Sequence, residues 1–333
     1  MGIRPKTEPT MQTLPQFPEL KALAAGLNSV LSANGSGCHK VAILNRIPSI
    51  FTSTYPSEIV TCRSDHQEEL KLYCKYMTKA GGSSFGHRGG LAYETEVYRR
   101  VLEPLPLSRP KFYGAYEDST TGDCGLILEY LEGSVRVPKG PQPESILLAA
   151  RWIGRFHAAN EARLSTGVIS FLNRYDSDYY AGWVRRTSRF SRGQFHRFPW
   201  VTALCEHFEE FIGILLSSPL TVVHGEYYPH NVLVRNGVIY PIDWESAAIA
   251  AGEIDLATLT EAWDDELIRQ CALAYRQSRW GGGSYPGFER RFAAARLYLS
   301  FRWLGERPDW TAGNGNVFYF EQLRSAGEEL GLV

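Results

Sequence analysis

Residues 222–245, VVHGEYYPHNVLVRNGVIYPIDWE, constrain this chain more than any other stretch. Residues 232–234 and 238–242 read as two short apolar strands joined by Arg235-Asn236-Gly237. Asn-Gly between β-branched runs is a strong hairpin signal, because both residues tolerate the positive φ of a tight turn. Pro241 has no N–H to give a ladder, so the second strand belongs at a sheet edge or pairs irregularly there. A polar loop, residues 224–231, precedes the hairpin, and Asp243 ends the second strand. A carboxylate (Glu226), an amide five residues later (Asn231) and a second carboxylate twelve further on (Asp243) suit one task. That task is to hold Mg²⁺ on a phosphate while orienting an attacking hydroxyl. The hairpin brings Asn231 and Asp243 together at its open end.

His224-Gly225-Glu226-x-x-x-x-Asn231 followed by Ile242-Asp243-Trp244-Glu245 resembles the catalytic core of the aminoglycoside phosphotransferase and choline kinase superfamily. Those enzymes share a fold with protein kinases. Their pattern is His-Gly-Asp-x-His-x-x-Asn, and two positions here depart from it: Glu226 stands at the aspartate and Tyr228 at the second histidine. Gly252-Glu-Ile-Asp255-Leu-Ala resembles the superfamily's Gly-x-x-x-Asp-Leu-Ala with a spacer one residue shorter, and Asp255 is expected to cap or brace the catalytic loop. The resemblance, which covers residues 41–304, implies an α+β, protein-kinase-like two-lobed fold. A small N-terminal antiparallel sheet plus a helix would join a larger, mainly helical C-terminal lobe.

The order of elements fits that expectation. Residues 1–40 read as a polar tail and a helix (19–31) ended by Asn34–Gly37, residues 41–131 as the nucleotide-binding lobe, and 132–333 as the catalytic and substrate lobe. Strands are expected at 41–47, 58–63, 69–76, 111–116 and 126–131, with a hairpin loop at 118–123. In the third, Leu70, Leu72 and Cys74 face one side and Lys71, Tyr73 and Lys75 the other. Helices are expected at 92–102, 144–164, 199–216, 257–277, 289–304 and 317–330 from their apolar spacing.

The 333 residues carry 44% hydrophobic and 21% charged side chains, an ordinary globular composition. A net charge of −1 argues against general nucleic-acid or anionic-membrane binding, and equally against a conspicuously acidic pocket for a polycation. The N-terminus has no apolar signal core, no stretch approaches a membrane span, and the six widely spaced cysteines form no Cys-x-x-Cys. Reduced thiols in a cytoplasm supplying ATP are the expectation; oligomeric state is not legible.

The resemblance also implies roles. Lys75, held by Glu94, would contact the α- and β-phosphates of ATP; Lys71 and Glu96 are the competing pair. Glu94-x-x-x-Tyr98 matches related small-molecule kinases. The backbone carbonyl of Glu129 and N–H of Leu131 would meet the adenine edge. Asn231 and Asp243 would hold Mg²⁺, and Glu226 would orient the hydroxyl of a small-molecule acceptor. His224 is a structural hydrogen-bonding group in this reading, and the cation lost at Tyr228 is replaced by His230 or an arginine. The hydroxyls of Ser49, Thr52, Ser53 and Thr54 stand where phosphate contacts are expected. The Gly-rich segment 81–90, with His87 and Arg88, follows the third strand, so it reads as a mobile connection able to close over the site. Arg185, Arg186, Arg189, Arg192 and Arg197 read as a solvated face, and Asp264, Asp265 and Glu266 as too small an acidic cluster for a polycation pocket. Trp280, Tyr285, Trp303 and Trp310 are candidates to line a substrate cleft. The exchange at Glu226 supports a second reading, a pseudokinase that binds nucleotide or substrate without turnover.

Overall fold

The structure is a computed structural model describing residues 17–33, 40–50, 55–65, 69–77, 84–117, 124–281, 283, 285–313 and 316–333. The N-terminal tail, the break at Asn34–Gly37, the 118–123 loop and the hydroxyls of Thr52, Ser53 and Thr54 lie outside those residues. The chain forms two units, one from Met1–Gly82 with Tyr113–Tyr130 and the other from Ser83–Phe112 with Leu131–Val333.

In the first unit β1 (Val41–Pro48), β2 (Ser57–Ser64), β3 (Glu69–Tyr76), β4 (Phe112–Glu117) and β5 (Cys124–Glu129) form one sheet in the order β1-β2-β3-β5-β4. The pairings of β2 with β1 and β3, and of β3 with β5, are antiparallel. The alternation expected for β3 is present. Leu72 and Cys74 are fully buried in a core with Leu23, Leu27, Val30 and Leu31 of α1 (Leu20–Ala33). Lys75 is on the opposite face, paired in register with Ser57 and Leu126, and its ammonium lies 5.3 Å over the Tyr55 ring.

The second unit is mainly helical. Its helices are α2 (Leu91–Glu96), continued as a π turn over Val97–Leu102, α3 (Glu144–Glu161), α4 (Ser177–Phe190), α5 (Trp200–Glu206), α6 (Phe208–Leu216), α7 (Glu253–Thr260), α8 (Asp265–Trp280), α9 (Phe288–Glu306), α10 (Pro308–Ala312) and α11 (Val317–Leu330). The segment Ser83–Phe112, grouped with the first lobe by sequence order, makes its contacts here. Gly89 N–H donates to Glu245 O (2.7 Å), the Tyr93 hydroxyl to Ala247 O (2.5 Å), and Arg163 to Val101 O (2.8 Å).

Two expected helices are split. The 199–216 run breaks at His207, and the 257–277 run breaks at Glu261 and Ala262, where Ala262 takes φ 66°. Asp264 then caps α8, its carboxylate accepting from Leu267 N–H at 2.9 Å, with Asp265 and Glu266 in the first turn. This acidic trio complements the positive end of the helix dipole. Among the described residues no helix is long and apolar enough to cross a membrane.

Two three-stranded sheets carry the motif region. β6 (Val135–Arg136), β9 (Val232–Arg235) and β10 (Val238–Pro241) run in the order β10-β9-β6, so Pro241 is on an edge strand as its missing N–H requires. β7 (Asn173–Arg174), β8 (Leu220–Val223) and β11 (Ala248–Ala251) form the second, in the order β7-β11-β8. The β9–β10 turn has Asn236 at φ 52° and Gly237 at φ 73°, and a Cβ on Gly237 would meet nothing within 4 Å. Gly237→Ala therefore isolates backbone strain, and we expect it to lower the unfolding free energy by about 1 kcal/mol. Urea denaturation measures this; an unchanged midpoint would show that the turn relaxes out of the left-handed region.

Candidate functional site

The loop from His224 to Asn231 hangs from one buried carboxylate. Asp255, on α7 and fully buried, accepts the backbone N–H of His224 at 2.6 Å (Oδ2) and of Gly225 at 2.9 Å (Oδ1). His157 of α3 lies 3.0 Å from Oδ2 through Nε2. Arg279 donates to the Tyr275 hydroxyl (2.5 Å), which lies 2.9 Å from His157 Nδ1. With its hydroxyl accepting from Arg279, Tyr275 gives its proton to Nδ1, leaving Nε2–H for Asp255. Burial depresses the His157 pKa despite Asp255, consistent with the neutral imidazole this chain of donors requires.

Two glycines make the arrangement possible. A Cβ on Gly252 would lie 2.4 Å from Arg279 Nη1 and 2.7 Å from both His157 Nδ1 and the Tyr275 hydroxyl. Gly225 has φ 82°, and its Cβ would lie 2.2 Å from Ser246 O.

Cross-links then tie the loop to the strand that carries Asp243. His224 Nδ1 accepts from Glu226 N–H (3.3 Å), so Nε2 carries the proton donated to Ile242 O (2.9 Å). Ile242 N–H in turn donates to Asn231 O at 2.9 Å. His224 is thus a structural hydrogen-bonding group, bridging the loop to the residue before Asp243. The Asn231 amide donates through Nδ2 to Glu226 O (3.0 Å), which turns its Oδ1 to the opposite side. Asp243 is half-buried and takes φ 68°, a left-handed conformation that turns the chain sharply after the hairpin. The next residue, Trp244, donates its backbone N–H to Glu94 Oε1 at 3.1 Å. Glu94 is buried on α2 and so meets the motif 150 residues away.

Glu226 is itself buried and ion-paired. Arg302 of α9 reaches its Oε1 at 2.5 Å through Nη2, while Nη1 donates to the Tyr228 hydroxyl at 2.8 Å. Arg88 donates to the same Oε1 at 3.2 Å, and His87 Nε2 stands 3.7 Å from it. Burial pushes the Glu226 carboxyl up, but Arg302 and Arg88 outweigh it and hold the group below its ordinary value. Burial, with the same two arginines, depresses His87 well below its ordinary value and keeps it neutral. His87 Nδ1 is 2.7 Å from the Tyr179 hydroxyl and 3.1 Å from that of Tyr175. Phe85 packs edge-on against Trp183 at 5.4 Å. In its described part the Gly-rich segment is held by contacts to the second unit. Phe85, His87, Arg88 and Gly89 anchor it in the second unit, and two of its side chains face the carboxylate.

Beside Tyr228 lies an aromatic group of Trp303, Trp310 and Tyr319, with successive centroids 5.3–6.1 Å apart. Glu261 is next to it. Burial raises its carboxyl to about 7 against the opposing pull of Arg302, Trp303 and Tyr319. Trp280 and Tyr285 stack on each other at 3.6 Å against Tyr275 and Phe288, apart from this group. Of the arginine run, Arg186 caps α9 by donating to Gly305 O (2.7 Å) and Glu306 O (3.0 Å). Arg185, Arg189 and Arg192 line a separate cavity of about 340 Å³ with Cys205 and Phe208.

Of the residues singled out by sequence, Glu226, Asn231, Asp243 and Glu94 come together in the second unit. Leu131 also belongs there, its carbonyl accepting from the N–H and hydroxyl of Ser134 at 3.1 and 2.7 Å. Lys75 and Glu129 belong to the first unit, Glu129 pairing with Leu72. Among the described residues, no three or more His, Cys, Asp or Glu side chains group to hold a metal. A magnesium ion needs fewer, since water and phosphate oxygens complete its octahedron. The hard oxygens of Asp243 and Asn231 fit that chemistry. Sequence reasoning points to His230 or an arginine for the cation lost at Tyr228 without saying which arginine; the structure supplies Arg302, and Arg88 and His87 join it at Glu226.

Residues 86–291 match the phosphotransferase enzyme family. Solved structures superpose over most of the chain. Wild-type aminoglycoside 2'-phosphotransferase-IIIa in its GDP complex does so at 13% identity, over 87% of this chain and 93% of that one, with a TM-score of 0.57. Choline kinase LicA from Streptococcus pneumoniae does so at 13% identity, over 87% and 94%, with a TM-score of 0.56. Macrolide 2'-phosphotransferase MphH from Brachybacterium faecium does so at 15%, over 91% and 98%, with a TM-score of 0.52. At these identities the likeness is one of fold, and it is the kinase-like fold expected from the motifs. No curated protein matches the sequence.

Two outcomes are expected. Asp255→Ala strands two buried backbone N–H groups and should lower the unfolding free energy by roughly 2–5 kcal/mol, measured by chemical denaturation; a loss within error would show that the loop is braced otherwise. Glu261 has a native value raised above its ordinary 4.5 to about 7, so the native state binds this proton more tightly. Its contribution is full below pH 4.5 and is lost as pH rises through about 7. Thermal unfolding of Glu261→Gln against the parent between those pH values should show a shallower decline; parallel profiles would reject the assignment.

Proposed function

Because the chain belongs to the phosphotransferase enzyme family, we propose that it transfers the γ-phosphate of ATP to a hydroxyl of a small molecule. The observation that supports this best is the hydrogen-bonded frame joining Glu226, Asn231 and Asp243. Asn231 Nδ2 holds Glu226 O, Asn231 O takes Ile242 N–H, and His224 bridges from the other side. In the proposed reaction the Glu226 carboxylate orients the acceptor hydroxyl and accepts its proton. The acceptor oxygen bonds to the γ-phosphorus as the bond to the β–γ bridging oxygen breaks, releasing ADP. Transfer through a loose transition state depends more on positioning and charge neutralisation than on base strength. A carboxylate held ionised by two arginines is therefore compatible with the task.

Mg²⁺ held by Asp243 and the Asn231 amide oxygen would neutralise charge on the phosphates. The nucleotide-side roles of Lys75, Glu94 and the backbone of Glu129 and Leu131 belong to the same proposal. Glu261 beside Trp303, Trp310 and Tyr319 suits an acceptor carrying an ammonium group, which aromatic faces and a carboxylate both attract. The competing reading is a module that binds nucleotide without turnover; the ion pairs on Glu226 Oε1 favour it.

Asp243→Ala should reduce Mg²⁺-dependent ATP turnover on the order of 10²-fold or more, measured at a temperature where the variant is folded. Turnover equal to the parent's would sink the phosphotransferase reading. A screen of amino alcohols, amino sugars, sugars and peptides with labelled ATP identifies the acceptor. Stabilisation by Mg·ATP without hydrolysis or product would favour the module.

A further inference from the structure

Both positions at which the motif departs from His-Gly-Asp-x-His-x-x-Asn are held by one side chain. Arg302 is 3% exposed, and its guanidinium spans Glu226 Oε1 (2.5 Å) and the Tyr228 hydroxyl (2.8 Å). Among the described residues no other donor touches both. Glutamate carries its carboxylate one methylene further than aspartate, and a tyrosine hydroxyl stands further from its backbone than an imidazole nitrogen. Each exchange thus lengthens a side chain, and the two longer side chains end on the two nitrogens of one planar fork. Among the described residues, the ion pairs to Glu226 all fall on the same oxygen. Arg302, Arg88 at 3.2 Å and His87 at 3.7 Å converge on Oε1. Oε1 is committed to the protein, which leaves Oε2 as the atom to meet an acceptor.

We propose that Arg302 is the positioning residue of this site: it makes Glu226 and Tyr228 a matched pair and sets the carboxylate so that Oε2 takes the acceptor hydroxyl. This rests on the phosphotransferase reading above. Three physical points support it. A fully desolvated ion pair contributes little net stability compared with apolar residues of the same volume, so one spanning the catalytic loop from a distant helix is better explained by geometry. Arginine's rigid fork presents two donors at fixed spacing, which lysine's single ammonium does not. Misplacing a reacting group by about 1 Å can lower a rate 10²-fold.

Restoring the family aspartate withdraws the carboxylate from Arg302, so Glu226→Asp should lower activity. The experiment measures kcat and KM for Mg·ATP hydrolysis, with water standing in for the acceptor. The variants are Glu226→Asp, Tyr228→Phe, Arg302→Lys, Arg302→Met and the double variant Glu226→Asp/Arg302→Met. Expected are kcat losses of 10-fold or more for Glu226→Asp and for Arg302→Met, and a smaller loss for Tyr228→Phe. KM for Mg·ATP should stay within about threefold of the parent. Arg302→Lys should fail to restore kcat, and the double variant should be no slower than the slower single, because both remove the same linkage.

Three results would overturn the proposal while leaving the phosphotransferase reading intact: kcat maintained or raised in Glu226→Asp, parental kcat in Arg302→Lys, or multiplicative losses in the double variant. If the arginine variants unfold, Glu226→Asp and Tyr228→Phe decide alone, since each keeps the guanidinium. A parent that binds Mg·ATP but gives neither hydrolysis nor a phosphorylated product with any acceptor in the screen removes the phosphotransferase reading, and this proposal with it.

Discussion

A carboxylate with no solvent access is tolerable only when donors occupy its oxygens. Asp255 meets that condition with two backbone N–H groups and a neutral imidazole. The consequence runs both ways. The loop N–H groups need an acceptor as much as the carboxylate needs donors, so His224 and Gly225 cannot move without stranding one side or the other. His157 supplies the third donor only because Tyr275 and Arg279 fix its tautomer. Arg279 is anchored in turn by Glu161 at 2.6 Å and the Pro219 carbonyl at 3.0 Å. Helices α3, α7 and α8 therefore set the conformation of a loop that belongs to none of them. A Cβ on Gly154 would lie 2.7 Å from Tyr275 O, which shows how closely α3 and α8 must approach for His157 to reach Tyr275.

From that anchor outward, the contacts grip backbone groups of the motif. Ile242 is gripped on both sides, by Asn231 O and by His224 Nε2, and it fixes where Asp243 begins. Trp244 continues the grip through Glu94. Glu226 is the exception, held by its side chain from α9 and from the segment before α2. This is where the sequence departs from the superfamily pattern, and the departure is internally consistent. A longer carboxylate and a tyrosine in place of histidine share one buried arginine.

The legible parts were those whose physics is local. Asn236-Gly237 between apolar strands, Pro241 at an edge, and the alternation of Leu72 and Cys74 with Lys71, Tyr73 and Lys75 each depend on a few neighbouring residues. The split at Glu261 and Ala262 was hidden, because nothing in an apolar period shows that Ala262 takes φ 66°. Asp264 stands out in the sequence only as part of an acidic cluster, and the structure makes it a helix cap. β11 escaped notice because Ala-Ile-Ala-Ala alternates nothing; it is buried on both faces. The Gly-rich segment misled for the opposite reason. Its composition suggests a pliant phosphate loop, yet His87 and Arg88 are captured by Tyr175, Tyr179 and Glu226.

The motif, its hairpin and the chemistry that a carboxylate, an amide and a second carboxylate can perform are all readable along the chain. The sequence also points to His230 or an arginine in place of the cation lost at Tyr228. Which arginine takes that place depends on how the helices pack. Arg302 lies 76 residues from Glu226, on a helix whose spacing says nothing about the loop. A buried guanidinium is placed by the packing of α9 against its neighbours, and that packing is a property of the whole unit, not of any stretch within it.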